Sequence, residues 1–144
     1  MVMPIFSQPN FQQTVQLLSD CQLPINDLSE TMMCTFLGCG DVNHLDGLIG
    51  LEIHGHYGLL RSLAIAPCAR NQGFGKALVS ALETLATSKG LTQLYLLTET
   101  AKPYFTKLGY IEIDRQSAPK PIQQTSEFSS ICPDHASIMY KCLK

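Results

Sequence analysis

The stretch that decides the fold is Arg70-Asn71-Gln72-Gly73-Phe74-Gly75-Lys76, which joins two apolar segments of different period. Before it, residues 59–66 form an apolar run that is stopped by Pro67, and this predicts a strand. After it, apolar residues recur at i, i+3, i+4, i+7 and i+8 from Phe74 onward, which predicts a long amphipathic helix. The local order is therefore strand, glycine-rich turn, helix.

This turn has the composition of an anion site. Gly73 and Gly75 allow the backbone to approach a ligand closely, and the first amides of the following helix have no partner inside the helix. Arg70 and Lys76 add full positive charges to the partial charge of the helix dipole, so a pyrophosphate matches the arrangement. The turn taken alone is equally compatible with a plain strand-to-helix connection whose cations are solvated. Its spacing excludes a Walker loop and a complete dinucleotide fingerprint.

The segments on either side of the turn complete a mixed pattern of strands and helices. Gly55 and Gly58 bracket a tight turn, which predicts an antiparallel hairpin, and residues 38–47 are predicted as a turn. Helices are predicted at 10–20, 74–89, 101–108 and 119–130, and strands at 32–37, 48–54, 59–66, 94–98, 110–114 and 137–143. We therefore expect one α/β (α+β) domain over residues 1–144, with a mixed central sheet flanked by helices.

Composition excludes several classes of protein. With 45% hydrophobic and 15% charged residues, the chain lacks the high charge of a disordered protein. The chain has ten basic and twelve acidic residues with no run of either sign, so the sequence contains no basic cluster of the kind that binds nucleic acid or an anionic membrane. There is no basic leader with an apolar core, and no apolar run approaches the ~20 residues that span a bilayer. We expect a soluble, cytoplasmic protein.

Six cysteines are present, and none stands in a Cys-x-x-Cys pair. A chain of 144 residues also exceeds the size of small disulfide scaffolds, so reduced thiols are expected. The favoured interpretation is that they are small buried hydrophobes, and the alternative is that they are widely spaced metal or arsenic ligands. The cysteines are Cys21, Cys34, Cys39, Cys68, Cys132 and Cys142.

Two motifs resemble those of the GCN5-related N-acetyltransferase (GNAT) family. The acetyl-CoA signature Arg/Gln-x-x-Gly-x-Gly/Ala is matched by Arg70, Gly73 and Gly75, and the helix that ends in a Leu-Gly-Phe/Tyr step is matched at residues 104–110. The order of elements also agrees over nearly all of residues 10–143. Within the family, stretches at 59–67, 96–101 and 132–139 are similar to the small arsenic-resistance N-acetyltransferases, and more distantly to the acetyltransferase domain of N-acetylglutamate synthase.

The resemblance implies transfer of an acetyl group from acetyl-CoA to a small amino acid or amino-acid analogue. The amine would attack directly in a ternary complex, without a metal, and a homodimer is left open. Two alternatives are a non-catalytic acetyl-CoA-binding sensor or regulatory module and an acetyltransferase for protein N-termini or lysines.

The resemblance also implies where the cofactor binds. Acetyl-CoA would lie between two central parallel strands, with its pyrophosphate on the amides of residues 71–76 and its pantetheine arm along the backbone of Leu63 and Ile65. The expected cofactor-binding residues are Leu63, Ile65, Arg70, Asn71, Gln72, Gly73, Phe74, Gly75, Lys76 and Phe105.

Two residues are candidates for proton transfer. Glu52 alternates with apolar residues in the first hairpin strand, so it either faces the cleft as a general base or is solvated while ordered waters carry the proton. In many family members a Tyr protonates the leaving thiolate, but Phe105 occupies that position here. Tyr104 is one residue earlier, which turns it by about 100° on a helix. Either Tyr104 acts as the acid after a local shift, or the thiolate leaves unprotonated, since a free thiol has a pKa of about 8.5.

Arg61 and Thr98 are the candidates for binding the acceptor. Arg61 stands in an otherwise apolar strand, and its guanidinium fork suits a carboxylate of the acceptor. The alternative for Arg61 is an ion pair with Glu52 across the hairpin, and both hold if the substrate displaces part of that pair. Glu99 stands where N-acetylglutamate synthases carry an Arg, which leaves a neutral or cationic acceptor tail open.

Overall fold

The computed structural model describes residues 5–23, 25–41, 44–125, 128 and 136–143. The strands are β1 (Ile5–Ser7), β2 (Phe36–Asp41), β3 (His44–His54), β4 (Tyr57–Ile65), β5 (Gln93–Thr98), β6 (Ile111–Ile113) and β7 (Ser137–Cys142). The α-helices are α1 (Phe11–Asp20), α2 (Phe74–Ser88), α3 (Lys102–Lys107) and α4 (Lys120–Gln123), and short 3-10 helices lie at Glu30–Thr35, Pro67–Ala69 and Arg115–Ser117. Among the described residues, no helix is long and apolar enough to cross a membrane.

The seven strands form one mixed sheet in the order β1-β2-β3-β4-β5-β7-β6. Strand β4 pairs with β5 in parallel, from Tyr57 opposite Gln93 to Leu59 opposite Tyr95. Antiparallel pairing joins β1 to β2, β2 to β3, β5 to β7, and β6 to β7. Parallel neighbours need a crossover, and α2 supplies it. The predicted α/β fold with a mixed central sheet is therefore confirmed.

The chain divides into two compact units, Met1–Glu52 with Arg61–Thr84, and Ile53–Leu60 with Leu85–Lys144. In the first unit, Leu23, Ile25 and Leu28 pack from the segment after α1 onto a buried cluster. These three side chains are partly buried, so each contributes less than the about 1.5–3 kcal/mol of a fully buried apolar side chain, and together they hold a segment that has no regular structure of its own. The cluster consists of Leu17, Leu18, Met33, Phe36, Leu45, Leu48, Ala64, Ala66 and Ala69.

The second unit has an aromatic core around Tyr95. The ring of Tyr95 stacks on Tyr140 at 5.7 Å and meets Tyr57 edge-on at 6.0 Å. Its hydroxyl donates a hydrogen bond to Gln93 Oε1 at 2.8 Å, and burial raises the pKa of Tyr95 to about 12. The buried members of this cluster are Leu59, Tyr95, Ala118, Ile122, Phe128 and Ile138.

Helices α1 and α2 form where the sequence predicts them. The side chain of Asn10 accepts a hydrogen bond from the Gln13 amide at 2.9 Å and so caps α1. After the C-terminal end of α2, Gly90 takes φ +82°, a left-handed conformation that ends helices. Strand β7 and the positions of β5 and α3 also agree with the prediction to within one or two residues.

The prediction for residues 32–47 is wrong in two respects. Glu30–Thr35 is a 3-10 helix, and the expected turn at 38–47 is occupied by most of β2 and the start of β3. The glycines there serve packing: a Cβ on Gly38 would lie 3.0 Å from Phe6 and Leu45, and one on Gly47 would lie 2.8 Å from Ile65. Because the packing leaves no room for a Cβ at these positions, the glycines here indicate close contacts between strands and not a turn.

Two further differences concern the ends of the chain. Strand β1 has no counterpart in the prediction, since three residues carry too short a pattern. Of the helix expected at 119–130, the structure describes α4 over Lys120–Gln123 and a helical Phe128, whereas residues 126, 127, 129 and 130 lie outside the described part of the chain.

Gly50 gives a test of the packing in the first unit. A Cβ at this position would overlap the ring of the fully buried Phe36. We expect Gly50→Ala to lower the free energy of unfolding by about 1–3 kcal/mol, measured by urea denaturation. Phe36→Leu supplies the control, because the double variant has room for the methyl group and should lose less stability than the two single variants together. Losses that simply add would contradict the assigned contact.

Candidate active site

The turn between β4 and α2 has the backbone geometry of an anion site. Asn71 and Gly73 both take left-handed conformations, with φ +66° and φ +83°. The Ala77 amide donates to the Gly73 carbonyl at 3.1 Å, which is the first hydrogen bond of α2. The amides of residues 74–76 precede that bond, and the partial positive charge of the 15-residue helix adds to them.

The surface above this turn is open. Gly73 is exposed, and a Cβ built on it meets no atom within 4 Å. Asn71, Gln72 and Lys76 are exposed as well. An anion can therefore approach the helix start closely, with a lysine ammonium beside it.

Arg70 is attached to the base of the same turn. Its Nε donates to the Ile65 carbonyl at 3.2 Å, and its Nη2 lies 3.9 Å from Cys21 Sγ. The structure thus brings the predicted cofactor residues 70–76 together in one turn, directly after half-buried Leu63 and Ile65 in β4.

A second cluster lies around Arg61, whose side chain has no exposed surface. Its Nη1 and Nη2 form a bidentate contact with Asp27, in which Nη2 donates to Oδ1 at 2.9 Å and Nη1 donates to Oδ2. Nη1 also donates to Glu52 Oε2 at 2.5 Å. The ion pair with Glu52 that the sequence left as an alternative is therefore present, and Asp27 is a partner that the sequence analysis missed.

The partners of Arg61 follow from the cost of burying a charge. Taking a guanidinium out of water costs several kcal/mol unless carboxylates and hydrogen bonds compensate it. Arg61 in turn holds the pKa of Asp27 below its ordinary value of 3.8, because the hydrogen bond favours the carboxylate form. The side chains of Asp27 and Glu52 keep 17% of their surface exposed, so both carboxylates can be reached from solvent.

The backbone beside Arg61 is in an uncommon conformation. Ser62 has φ +58° within β4, where a non-glycine residue costs about 1–3 kcal/mol. Its hydroxyl accepts a hydrogen bond from Arg61 Nε at 3.0 Å. Strain of this kind persists where surrounding contacts enforce it, and the Arg61 cluster supplies such contacts.

Helix α3 places Tyr104 and Phe105 differently. Phe105 is 5% exposed and lies edge-on between Tyr104 at 5.4 Å and Tyr110 at 5.7 Å. Tyr104 is 38% exposed, and partial burial raises the pKa of its phenol, which therefore stays protonated at neutral pH. The hydroxyl of Thr98 accepts a hydrogen bond from the Ala101 amide at 2.9 Å, just before α3.

The cysteines of the described residues are all free thiols. Cys39 is fully buried, as expected of a small hydrophobe, but Cys34, Cys68 and Cys142 are exposed, so that interpretation is wrong for these three. Cys132 lies outside the described residues. Within the part of the chain that the structure describes, no group of three or more His, Cys, Asp or Glu side chains is placed to hold a metal ion.

Comparison with known proteins points to one family. The model of the acetyltransferase (GNAT) domain matches residues 34–112, which is more than half of the chain. An uncharacterised N-acetyltransferase of Chlorobaculum tepidum is 33% identical over 63 residues, which are 44% of this chain and 40% of that protein.

The fold of two solved structures is similar to that of this chain. N-acetylglutamate synthase of Neisseria gonorrhoeae, in complex with coenzyme A and N-acetyl-glutamate, has a TM-score of 0.85 at 16% identity. That match covers all of this chain and 36% of the synthase, so the chain spans well under half the length of these first relatives. Rv2747 of Mycobacterium tuberculosis, in complex with CoA, has a TM-score of 0.78 at 18% identity, covering 98% of this chain and 99% of that one.

The environment of Cys39 predicts its reactivity. Burial, together with the charge of Asp46, raises the pKa of the Cys39 thiol to about 11, so only about one molecule in a thousand carries the thiolate at pH 8. We expect iodoacetamide to modify the exposed Cys34 and Cys68 in the native protein and to reach Cys39 only after unfolding. Peptide mapping by mass spectrometry measures each site, and labelling of native Cys39 at the rate of Cys34 would contradict the described burial.

Proposed function

Because the chain belongs to the GNAT family of N-acetyltransferases, which are acyltransferases, we propose that it transfers an acetyl group from acetyl-CoA to the amine of a small amino acid or amino-acid analogue. The observation that carries the proposal is the open turn at the start of α2, with left-handed Asn71 and Gly73. The coenzyme A bound to N-acetylglutamate synthase and to Rv2747 supports the cofactor, and the N-acetyl-glutamate in the synthase supports an acceptor similar to glutamate.

The residues of the turn fit the phosphates of acetyl-CoA. Three successive amides, the helix dipole and the Lys76 ammonium all favour a diphosphate group at one place. Arg70 adds a guanidinium, although the Ile65 carbonyl and Cys21 hold it at the base of the turn. The backbone of Leu63 and Ile65 is proposed to pair with the pantetheine arm. Phe105 remains a proposed cofactor residue on the family resemblance alone, and its side chain is almost wholly buried.

Glu52 is the proposed general base. Bound acetyl-CoA supplies the thioester carbonyl, and the acceptor must lose the proton of its ammonium before it can attack. The Glu52 carboxylate remains accessible, and one of its oxygens accepts from Arg61. We propose that this carboxylate accepts the proton, either directly or through a water.

Tyr104 is the proposed general acid, which would protonate the thiolate of CoA as it leaves. Its phenol is protonated at neutral pH and partly exposed, whereas Phe105 has no proton to give. Departure of the thiolate without an acid is the competing route, since thiolates are moderate leaving groups. Thr98 and Arg61 remain the proposed acceptor contacts. For Arg61 this role requires an acceptor carboxylate to replace Asp27 on the same fork.

The two left-handed glycines that flank α2 allow a matched test of the phosphate site. Gly73 and Gly90 have φ +83° and φ +82°, and neither would bring a Cβ within 4 Å of another atom. Gly73→Ala and Gly90→Ala should therefore cost the same backbone strain, about 1–2 kcal/mol. We expect only Gly73→Ala to weaken acetyl-CoA binding, by tenfold or more in isothermal titration calorimetry. Equal affinities in the two variants would refute the assignment of the turn.

The acceptor is tested by release of free CoA. The protein is incubated with acetyl-CoA and a panel of amino acids that includes glutamate, glutamine, glutamate analogues and lysine, and the thiol is titrated. We expect release with at least one α-amino acid and acetylation of its α-amine by mass spectrometry. Tight binding of acetyl-CoA without release for any small amine would overturn the proposal, and acetylation of protein N-termini or lysines instead would identify a different acceptor class.

A further inference from the structure

The peptide unit between Ile65 and Ala66, at the end of β4, is held by hydrogen bonds on both of its sides. The Ala66 amide donates to the Asp46 carbonyl of β3 at 2.8 Å. In a trans peptide the N–H and the C=O point in opposite directions, so the Ile65 carbonyl points away from Asp46. That carbonyl accepts from Arg70 Nε at 3.2 Å, and Cys21 Sγ donates to it at 3.7 Å. The orientation of this peptide plane is therefore fixed.

The same hydrogen bonds identify the two edges of β4. Within a strand, the N–H and C=O of one residue point to one side, and those of the next residue point to the other side. Because the Ile65 carbonyl points away from β3, the backbone groups of Leu63 and Ile65 belong to the edge of β4 that faces away from β3. This edge is the one that the pantetheine arm needs in the proposed function, and the guanidinium of Arg70 stands at its end.

The side chain of Arg70 is directed towards β4 and α1. Its hydrogen bond to Ile65 spans five positions of sequence, which include the 3-10 helix Pro67–Ala69. Its Nη2 lies 3.9 Å from Sγ of Cys21, the residue that caps the C-terminal end of α1. Lys76, by contrast, is exposed in the first turn of α2. The positive charge at the start of α2 is therefore mainly that of Lys76 and the helix dipole.

We propose that Arg70 is a positioning residue for the pantetheine arm of acetyl-CoA, which acts through the Ile65 carbonyl instead of binding the phosphates. Its Nε holds the last peptide of the β4 edge in the orientation that an added strand requires, and its guanidinium marks where the pairing ends. This inference rests on the proposed function, in which Leu63 and Ile65 pair with that arm. It gives Arg70 a different role from the phosphate contact that the sequence predicts, because the essential group is the N–H at Nε and not the charge.

Variants of Arg70 separate the two roles. Gln carries a side-chain N–H on the atom that follows Cδ, which is also the position of Nε in Arg, but it has no charge. Met is as long as Gln and has neither the N–H nor the charge. We expect Arg70→Met to weaken acetyl-CoA binding about tenfold, the scale of one hydrogen bond, and Arg70→Gln to restore most of that affinity. Isothermal titration calorimetry measures both dissociation constants.

A phosphate ligand would give the opposite order of affinities. Loss of the charge would then weaken binding equally in Arg70→Gln and Arg70→Met, and Arg70→Lys would keep the affinity, so this order would overturn the proposal. Lys76→Met is the control for a lost charge, since the Lys76 ammonium is exposed at the helix start. We expect Lys76→Met to reduce the dependence of affinity on salt concentration, and Arg70→Gln to leave that dependence as it is in the wild-type protein.

A second ligand tests whether Arg70 acts on the pantetheine arm. The compound 3′-phospho-ADP has the phosphates of CoA but no pantetheine. We expect Arg70→Met to bind it within about threefold of the wild-type affinity, whereas Lys76→Met should lose affinity for 3′-phospho-ADP and acetyl-CoA alike. Equal losses for the two ligands in Arg70→Met would mean that the whole turn is disturbed or that a phosphate contact is gone, and either result would contradict the positioning role.

The wild-type protein separates this inference from the proposed function. If it bound neither acetyl-CoA nor 3′-phospho-ADP, the proposed function would fail before any variant is made. If it bound both and the Arg70 variants behaved as though a charge had been lost, only the positioning role would be contradicted. Arg70 is exposed, so we expect its variants to fold, and circular dichroism at the temperature of the titration checks this.

Discussion

A positive charge without exposed surface in the middle of β4 is the constraint on which the first unit depends. Arg61 can be buried only if carboxylates come to it, and Asp27 and Glu52 do so from two other parts of the chain. One side chain thereby ties the segment after α1 to strands β3 and β4. The conformation of Ser62 belongs to the same constraint, because its hydroxyl accepts a hydrogen bond from Arg61 Nε.

The same continuous segment, residues 61–76, carries two kinds of chemistry at its two ends. The Arg61 end is buried and is controlled by paired charges, whereas the turn at 70–76 is exposed and is controlled by backbone amides and left-handed residues. Between them, Leu63 and Ile65 offer strand backbone. A chain of modest net charge can therefore present an anion site, since the position of a helix start matters more than the total of ten basic residues.

Local pattern predicted α2 and the turn because both are encoded by neighbours in sequence. The helix has an unbroken apolar stripe, and the turn has its glycines and cations within seven residues. Gly38 and Gly47 were misinterpreted because the side chains that leave no room for a Cβ there belong to other strands. These side chains are Phe6, Leu45 and Ile65. Asp27 was missed for the same reason: the apolar strand around Arg61 indicated that a partner was needed, but twelve acidic residues could have supplied it.

The Arg61 cluster is buried and the turn at residues 70–76 is largely exposed, so substitutions at the two places differ in their cost to stability. Substitutions at the exposed side chains of the turn, such as Lys76, would change the affinity of the proposed cofactor site at little cost in stability. A substitution at Arg61, Asp27 or Glu52 leaves an unbalanced charge in the cluster, so the proposed acceptor site is coupled to the stability of the fold. If the proposed function holds, acceptor specificity is most easily altered by residues that surround the cluster, because those residues can change shape without disturbing its charge balance.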